Sequence, residues 1–447
     1  MIKYRKHLKR CRLKSVLVIL AIFMLNITAR AQTVSLEQCI DTALVYNRNI
    51  RISQQDVNLS MEKNREIKGN LLPKLNGIAD YRYYTDLPYQ LMPAVAFGGP
   101  AGTYKEVQFG VPQSLNANLQ LAVPIYNSMA VSAVKSTRIA VELSEIQQTK
   151  TDEEVVLEVT NAYYNAQILL TRIAFLDSNI INTDKLLKTT TLLYQQQIVK
   201  GTDADRLKLQ IEQISTQRST VESQYKQVLN ALKFLMGKPI SDSIEVLPTE
   251  RSIAPAIFQS RITTDILLID KKIEFNHSEL TGLRNMRLPS LSAYGVYGTT
   301  GFGTTGSNSF FNFHPIGYVG AQLSVPLFNG TVTQHKIVGK KLEIEKSNIQ
   351  KELLSEKSKL DLINAEMQYG LANRNISLIT SQTELAKKIY DNTVLQNQQG
   401  LASITDLLMA DNALRETQQN YIEALINLRR AELEYKRVTG NLITIKN

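Results

Sequence analysis

The run from Ser128 to Lys200 contains no glycine and no proline. Glycine and proline interrupt helices more strongly than other residues, so the run predicts one continuous helix of about 110 Å at ~1.5 Å per residue. Helices of ordinary globular proteins average about 11–12 residues. This feature disfavours a compact soluble enzyme and favours an elongated, mainly helical fold.

Two later segments have the spacing of coiled-coil seams, with intervals that alternate between four and three residues. The first seam consists of Leu207, Ile211, Ile214, Arg218, Val221, Tyr225, Val228, Leu232 and Leu235. The second consists of Leu407, Ala410, Leu414, Thr417, Tyr421, Ala424, Leu428, Ala431 and Tyr435. Each seam predicts a helix that returns antiparallel to a long helix before it. Heptads alone favour a stand-alone coiled coil, and the strand signals described below change that interpretation.

Short motifs recur along the chain and indicate an internal duplication. The junction Leu72-Pro73 recurs as Leu288-Pro289 at an offset of 216, and residues 123–127 recur as 325–329 at an offset of 202. The first copy therefore has the longer loop, which we place in Thr85–Ser114 because that segment is rich in proline and glycine.

The predicted organisation follows from this duplication. It comprises a leader at 1–31, a first repeat at 32–240, a linker at 241–260 and a second repeat at 261–447. Each repeat contains a helix, a strand pair and a long helical hairpin. Ser35 and Gln38 have capping-box spacing, which predicts that the first helix begins there.

Alternating polar and apolar residues accompany each hairpin. Leu115–Val123 and Leu75–Tyr83 alternate with the period of two that a β-strand requires, and residues 318–325 do the same in the second copy. Such segments of about ten residues are typical of transmembrane barrel strands. Each chain supplies too few strands to close a barrel alone, because about eight are needed to enclose even a side-chain-filled interior. A dimer and a trimer both remain possible, and a passage for solutes favours the larger assembly.

The first residues have the layout of a signal peptide: a basic start, the apolar run Ser15–Ile27 and a cleavage motif that ends at Ala31. The formal net charge of +10 comes mainly from this leader, so the mature chain is nearly neutral and nucleic-acid binding is not expected. Cleavage also removes Cys11 and leaves Cys39 alone, which excludes an intrachain disulfide. After Gln32, no window of about 18 apolar residues predicts a membrane helix.

Motifs for chemistry are weak. Gly301, Gly303 and Gly306 satisfy a dinucleotide fingerprint on paper, but the residues after them do not form the helix that phosphate binding needs. His277, His314 and His335 lack the spacing of zinc ligands, and no nucleophile elbow is present. We therefore expect no enzyme activity, cofactor or metal.

The mature chain resembles the TolC family of bacterial outer-membrane efflux proteins. The resemblance rests on "SLEQCIDTALVYNRNI", on "LLPKL" and "RLPSL", on "LAVPIYN" and "LSVPLFN", and on "GLASITDLLMADNAL". It implies a homotrimer in the outer-membrane lipid, with a shared twelve-stranded barrel and a periplasmic tube of coiled-coil helices. It also implies a passive duct for efflux or type I secretion, whose partners are a periplasmic adaptor (membrane fusion) protein and an inner-membrane transporter. The cargo stays open.

The resemblance also points to the two helix-hairpin turns at the periplasmic tip. The family's Gly-Leu and the Asp six residues after the Gly match Gly400, Leu401 and Asp406. In the first copy the aligned residues are Gln197, Ile198 and Asp203, so only the aspartate is retained there. We expect Asp203 and Asp406 to act at the gate, and Gln197, Ile198, Gly400 and Leu401 to contact the adaptor.

Two other interpretations compete with the channel. A soluble periplasmic adaptor also uses a long helical hairpin, although it carries one hairpin and this chain has two. A secreted structural filament agrees with the helices but not with the strands. For both aspartates, the simpler alternative to a gate is capping or first-turn placement at the N-terminus of the returning helix.

Overall fold

The computed structural model describes residues 32–248, 261–304 and 312–442. The predicted leader at 1–31 lies outside them. The helices are α1 (Leu36–Tyr46), α2 (Arg48–Gly69), α3 (Ser128–Gln195), α4 (Gly201–Leu235), α5 (Thr264–Asn285), α6 (Val332–Gln398) and α7 (Ile404–Val438). The strands are β1 (Gln32–Val34), β2 (Lys74–Tyr83), β3 (Tyr89–Pro93), β4 (Tyr104–Gln108), β5 (Gln113–Asn127), β6 (Ile244–Val246), β7 (Ser290–Gly303) and β8 (Asn312–Ser324).

The long helix predicted from Ser128 is confirmed as α3, which has 68 residues, and α6 is its counterpart with 67. The capping box of Ser35 and Gln38 is confirmed at the start of α1. Within the described chain, no helix has the length and apolar content that a membrane span requires.

The elements recur at the offsets seen in the sequence. Helices α2 and α5 have 22 residues each and begin 216 positions apart, and α4 and α7 have 35 residues each and begin 203 positions apart. The coiled-coil seams are confirmed by burial, since Leu207 and Leu232 of α4 and Leu407 and Leu428 of α7 are almost fully buried. The duplication therefore agrees with the order and the lengths of the elements.

The predicted strand pairs form one antiparallel sheet of four strands in the order β2-β5-β7-β8. Strand β5 of the first repeat pairs with β7 of the second repeat, so the sheet joins the two repeats of one chain. Strands β2 and β8 are its edges, each with a single neighbouring strand among those described.

Two segments contain structure that the sequence did not predict. The loop at Thr85–Ser114 contains an antiparallel hairpin, β3 with β4, joined through a short 3-10 helix at Ala94–Phe97. The linker at 241–260 contains β6, which pairs in parallel with β1, and its residues 249–260 lie outside those described. Both strands of that pair are three residues long. Each of the two strands is too short to show a period of alternation, and the two strands lie far apart in the sequence.

The chain divides by contacts into two compact units, and each draws on both predicted repeats. One contains the described residues within 32–52, 149–263 and 356–442, and its largest buried side chains are Leu207, Leu232, Met236, Leu407, Leu425 and Leu428. The other consists of residues 53–148 and 264–355 and contains the sheet together with a small cluster of Leu280, Ile337 and Ile344. The repeat boundaries themselves stay a prediction.

Candidate functional site

The turn between α3 and α4 closes with a left-handed residue. Gln197 has φ of 59°, in a region that favours glycine. Its N–H donates to the Tyr194 carbonyl at 2.9 Å, and the Ile198 N–H reaches back to the Leu193 carbonyl at 2.9 Å. These two bonds satisfy carbonyl groups that the end of α3 would otherwise leave without partners.

The turn between α6 and α7 repeats this geometry 203 residues later. Gly400 has φ of 77° and its N–H donates to the Asn397 carbonyl at 3.0 Å. The Leu401 N–H donates to the Gln396 carbonyl at 2.8 Å. The aligned positions Gln197 and Gly400 therefore form the same type of turn, although the residue types differ. Only glycine adopts the conformation without steric cost.

Both predicted aspartates lie in the first turn of a returning helix. Asp406 belongs to a capping box, in which its Oδ2 accepts from the Ser403 hydroxyl at 2.6 Å and the Ser403 N–H at 2.9 Å. These hydrogen bonds lower the pKa of Asp406. Asp203 occupies the equivalent place in α4 and faces Arg206 at 3.9 Å. Both aspartates therefore have the helix N-terminal placement that is the alternative to a gate role, and Asp406 shows it most clearly.

Large apolar side chains are exposed around both turns. Leu401 is 76% exposed and Ile198 is 64% exposed. Six residues earlier, Leu192 and Leu395 are exposed as well, again at positions 203 residues apart. Exposed apolar groups of this size commonly mark a surface that contacts another protein. The predicted contact residues thus lie together within each turn.

A buried polar cluster joins the two returning helices a few turns beyond these hairpin turns. Gln210 Nε2 of α4 donates to Asp411 Oδ2 of α7 at 2.6 Å, and Arg415 Nη2 lies 2.9 Å from the same carboxylate. Burial raises the pKa of Asp411, and the pull of Arg415 and the bond from Gln210 act against that rise. Burial also raises the pKa of the Tyr390 hydroxyl to about 12, and the Asp411 charge adds to this rise.

This cluster lies against a groove of about 420 Å³ between α4 and α7, lined mainly by amide and charged side chains. Sequence reasoning missed it because Asp411 and Gln210 are adjacent to seam positions and belong to different repeats. A weak signal was available, since an aspartate directly after Ala410 falls beside the predicted buried stripe.

The four-stranded sheet has two chemically different faces. On one face the strand pairing aligns Leu75 with Leu121 and Leu119 with Tyr297, and these side chains are largely exposed. The other face carries a polar row in which Thr300 Oγ1 donates to Asn116 Oδ1 at 2.9 Å. Such a sheet can present apolar groups to lipid and polar groups to water.

Two of the three glycines of the dinucleotide fingerprint lie in a strand. Gly301 and Gly303 belong to strand β7, Gly306 lies outside the described residues, and the next described element is β8. Across the part of the chain that the structure describes, no group of three or more His, Cys, Asp or Glu side chains gathers as a metal site.

Comparison with known proteins gives consistent results. The family model described as "Outer membrane efflux protein" matches residues 39–238. Outer membrane protein TolC of Salmonella enteritidis is 18% identical over 444 residues, covering 95% of this chain and 86% of that protein. The match to this relative extends through both predicted repeats.

Solved structures share the fold. The CmeC outer membrane channel of Campylobacter jejuni aligns with a TM-score of 0.72 at 14% identity, covering 92% of this chain and 87% of that one. The MtrE outer membrane channel of Neisseria gonorrhoeae aligns with a TM-score of 0.71 at 16% identity, covering 91% and 89%. The predicted class, long antiparallel helices with a small β portion, is confirmed.

Proposed function

Because the chain belongs to the outer membrane efflux protein family, we propose that three copies form a passive exit duct of a tripartite efflux or type I secretion system. The family consists of passive outer-membrane channels and not of enzymes. The duct receives its cargo from an inner-membrane transporter through a periplasmic adaptor protein. The leader at 1–31 directs export and is removed after Ala31.

The sheet is the observation that carries this proposal. A four-stranded antiparallel sheet with two edges exposes backbone N–H and C=O groups that cannot stay without partners in lipid. Pairing of β2 in one copy with β8 in the next removes both edges. Three copies then supply twelve strands, which is enough for a passage rather than a side-chain-filled interior.

The faces of the sheet fit this closure. The exposed apolar face, with Leu75, Leu119 and Tyr297, contacts the outer-membrane lipid. The polar row of Asn116 and Thr300 lines the water-filled passage. In this proposal, energy and cargo selection belong to the pump.

The helix-hairpin turns form the periplasmic tip in this proposal. Ile198 and Leu401 are exposed, and together with Gln197 and Gly400 they provide an apolar contact surface for the adaptor. Equivalent turns in the two repeats give the adaptor two similar contact sites in each chain.

Asp203 and Asp406 contribute negative charge at the tip, which favours cations in the constriction. The lowered pKa of Asp406 keeps its carboxylate ionised at neutral pH. Measuring the cation-to-anion permeability ratio of Asp203→Asn and Asp406→Asn in planar bilayers tests this role. Asparagine keeps an oxygen that can accept the hydrogen bonds from Ser403, so Asp406→Asn preserves the cap. An unchanged permeability ratio in this variant would show that Asp406 acts as a helix cap and not at the gate.

Membrane fractionation tests the function as a whole. We expect the protein in the outer-membrane fraction, released only by detergent, and running as a heat-labile trimer. Recovery in the soluble periplasm would instead favour the adaptor interpretation. Deletion of the protein should raise the cellular accumulation of dyes or antibiotics, whereas unchanged accumulation of every small molecule would indicate polypeptide secretion.

A further inference from the structure

One face of the hairpin of β3 and β4, called the apolar face below, carries four aromatic or apolar side chains and two polar ones. The pairing places Tyr89, Leu91 and Pro93 on the same face as Gln108, Glu106 and Tyr104. Tyr89 and Leu91 are each 68% exposed and Tyr104 is 69% exposed. The opposite face holds Gln90 and Lys105, which are exposed, and Met92 and Val107, which are half-buried. An exposed apolar face of this kind marks a contact surface that one copy of the chain does not fill.

The hairpin continues outward from the end of the β2–β5 ladder. The Tyr84 N–H donates to the Pro112 carbonyl at 2.8 Å, and the Phe109 N–H donates to the Pro88 carbonyl at 3.3 Å. Strands β3 and β4 pair only with each other among the described strands. The hairpin therefore lies past the last paired residues of β2 and β5, Tyr83 and Gln113.

Lipid does not account for the apolar face. A tilted barrel strand needs about 9–11 residues to cross the hydrocarbon layer. Strand β2 already has ten residues and β5 has fifteen. In the proposed channel the hairpin thus emerges beyond the hydrocarbon layer, at the end of the sheet where β2 and β5 finish, and its apolar face needs a protein partner.

Another copy of the same chain is the partner that the geometry favours. The hairpin follows directly from β2, the edge strand that pairs with the neighbouring copy in the proposed trimer. In the proposed trimer the hairpin is therefore attached to a strand that lies at the interface between copies. It carries one charged side chain, Glu106, whereas Lys105 lies on the opposite face, 5.9 Å from the ring centre of Phe97. A three-fold axis brings three identical faces together.

We propose that the three β3–β4 hairpins pack against one another through Tyr89, Leu91 and Tyr104 and cover the outer mouth of the passage. This inference rests on the proposed trimeric channel. It gives a function to the longer loop of the first repeat, in which residues 84–112 separate β2 from β5, whereas residues 304–311 separate β7 from β8.

Disulfide cross-linking tests the contact in intact outer membranes. The native Cys39 is a suitable silent background, since it is fully buried and burial raises the pKa of its thiol to about 11. Leu91→Cys places a thiol on the apolar face. Gln90→Cys, one residue earlier, is the matched control, because its side chain is exposed on the opposite face. On oxidation, Leu91→Cys should give covalent dimers about tenfold more than Gln90→Cys, since packing raises the local thiol concentration.

A second measurement tests whether the hairpins cover the outer mouth of the passage. Thr300→Cys places a thiol on the polar row inside the passage. Replacing Tyr89, Leu91 and Tyr104 together by serine should speed its labelling by a bulky, membrane-impermeant maleimide in intact cells about tenfold. Serine replacements at Gln90 and Lys105 of the opposite face should leave the labelling rate unchanged.

The outcomes separate this inference from the channel proposal. A heat-labile trimer whose Leu91→Cys thiols are labelled from outside but do not cross-link would overturn the hairpin contact and leave the channel intact. Thiols that neither cross-link nor react with the water-soluble reagent would place the face in lipid and also overturn the contact. Absence of any trimer would overturn the channel proposal, and the hairpin contact with it.

Discussion

At the scale of single residues, the two turns provide a matched pair of substitutions. Gln197 holds a left-handed φ of 59° that costs a non-glycine residue about 1 kcal/mol. Gln197→Gly should therefore raise the temperature at which the proposed trimer, solubilised in detergent, dissociates. Gly400→Gln should lower it, because glutamine would have to adopt φ of 77°. Equal midpoints for both variants would contradict a conformational cost at these positions.

The helix cap formed by Ser403 gives a second prediction for a single residue. Its hydroxyl accepts from the Asp406 N–H at 3.1 Å, and loss of such a cap costs about 1 kcal/mol. Ser403→Ala should lower the dissociation temperature, and hydrogen exchange should increase in the first turn of α7. Lys200 caps α4 without a side-chain bond, so Lys200→Ala is the control that should leave exchange in α4 unchanged.

The same capping box has a pH dependence. The pKa of Asp406 is lowered from its ordinary value of 3.8, so its stabilising effect is complete above that pH. The effect is lost as the pH falls through the lower pKa of the folded state. In a pH series, hydrogen exchange of the first turn of α7 should increase below pH 3.8, and Asp406→Asn should abolish that increase.

Some of these residues could be predicted from the sequence and others could not. The Gly400 turn and the position of Asp406 follow from local motifs, because turn and cap geometry depend on neighbouring residues. The left-handed Gln197 carries no such signal and becomes visible only when the two repeats are aligned. The Gln210–Asp411 bond joins residues about two hundred positions apart, and nothing in the local pattern pairs them.

At the scale of elements, the returning helices α4 and α7 are joined by that part-buried hydrogen bond between Gln210 and Asp411. Gln210→Ala would leave the buried Asp411 carboxylate with one donor fewer, and the cost should be about 1–3 kcal/mol. We expect weaker association of α4 with α7, measured as faster proteolysis of these helices in the intact trimer.

A double-mutant cycle with Asp411→Asn isolates this pair. The coupling energy between Gln210 and Asp411 should be about 1–2 kcal/mol, as expected for contacting groups. Gln213→Ala removes an exposed amide from the same groove and serves as the control. A cycle with no coupling would show that the contact does not hold the two helices together.

Elements with a long, regular pattern were predictable, and short ones were not. The helix α3 follows from a run without glycine or proline, α4 and α7 follow from their heptads, and α6 follows as the counterpart of α3 in the second repeat. The strand pair β1–β6 depends on a parallel contact between the start of the described chain and the predicted linker. The β3–β4 hairpin lies in a segment whose prolines and glycines predicted a loop, because turn residues do not show how the residues between them pair.

At the scale of the whole molecule, the sheet determines what the chain can be. A single copy exposes large apolar side chains on one face of the sheet and ends the sheet at two edges, β2 and β8. Neither feature suits a chain that remains alone in water. The sequence predicted the strands and the need for several chains, but it did not choose between two copies and three, since alternation along a strand carries no information on strand number.

Adjacent residues of β5 test the membrane orientation of the whole assembly. Leu119 lies in the middle of the strand on the apolar face and is 53% exposed, whereas Gln120 belongs to the opposite face. In the proposed channel, Leu119→Arg would place a charge in lipid near the midplane, at a cost of about 2–4 kcal/mol. Gln120→Arg would place the same charge in the proposed water-filled passage. We therefore expect the first variant to be depleted from the outer-membrane trimer and the second to assemble normally. Equal recovery of both trimers would remove the assignment of the two faces. Selective loss of Gln120→Arg would reverse it.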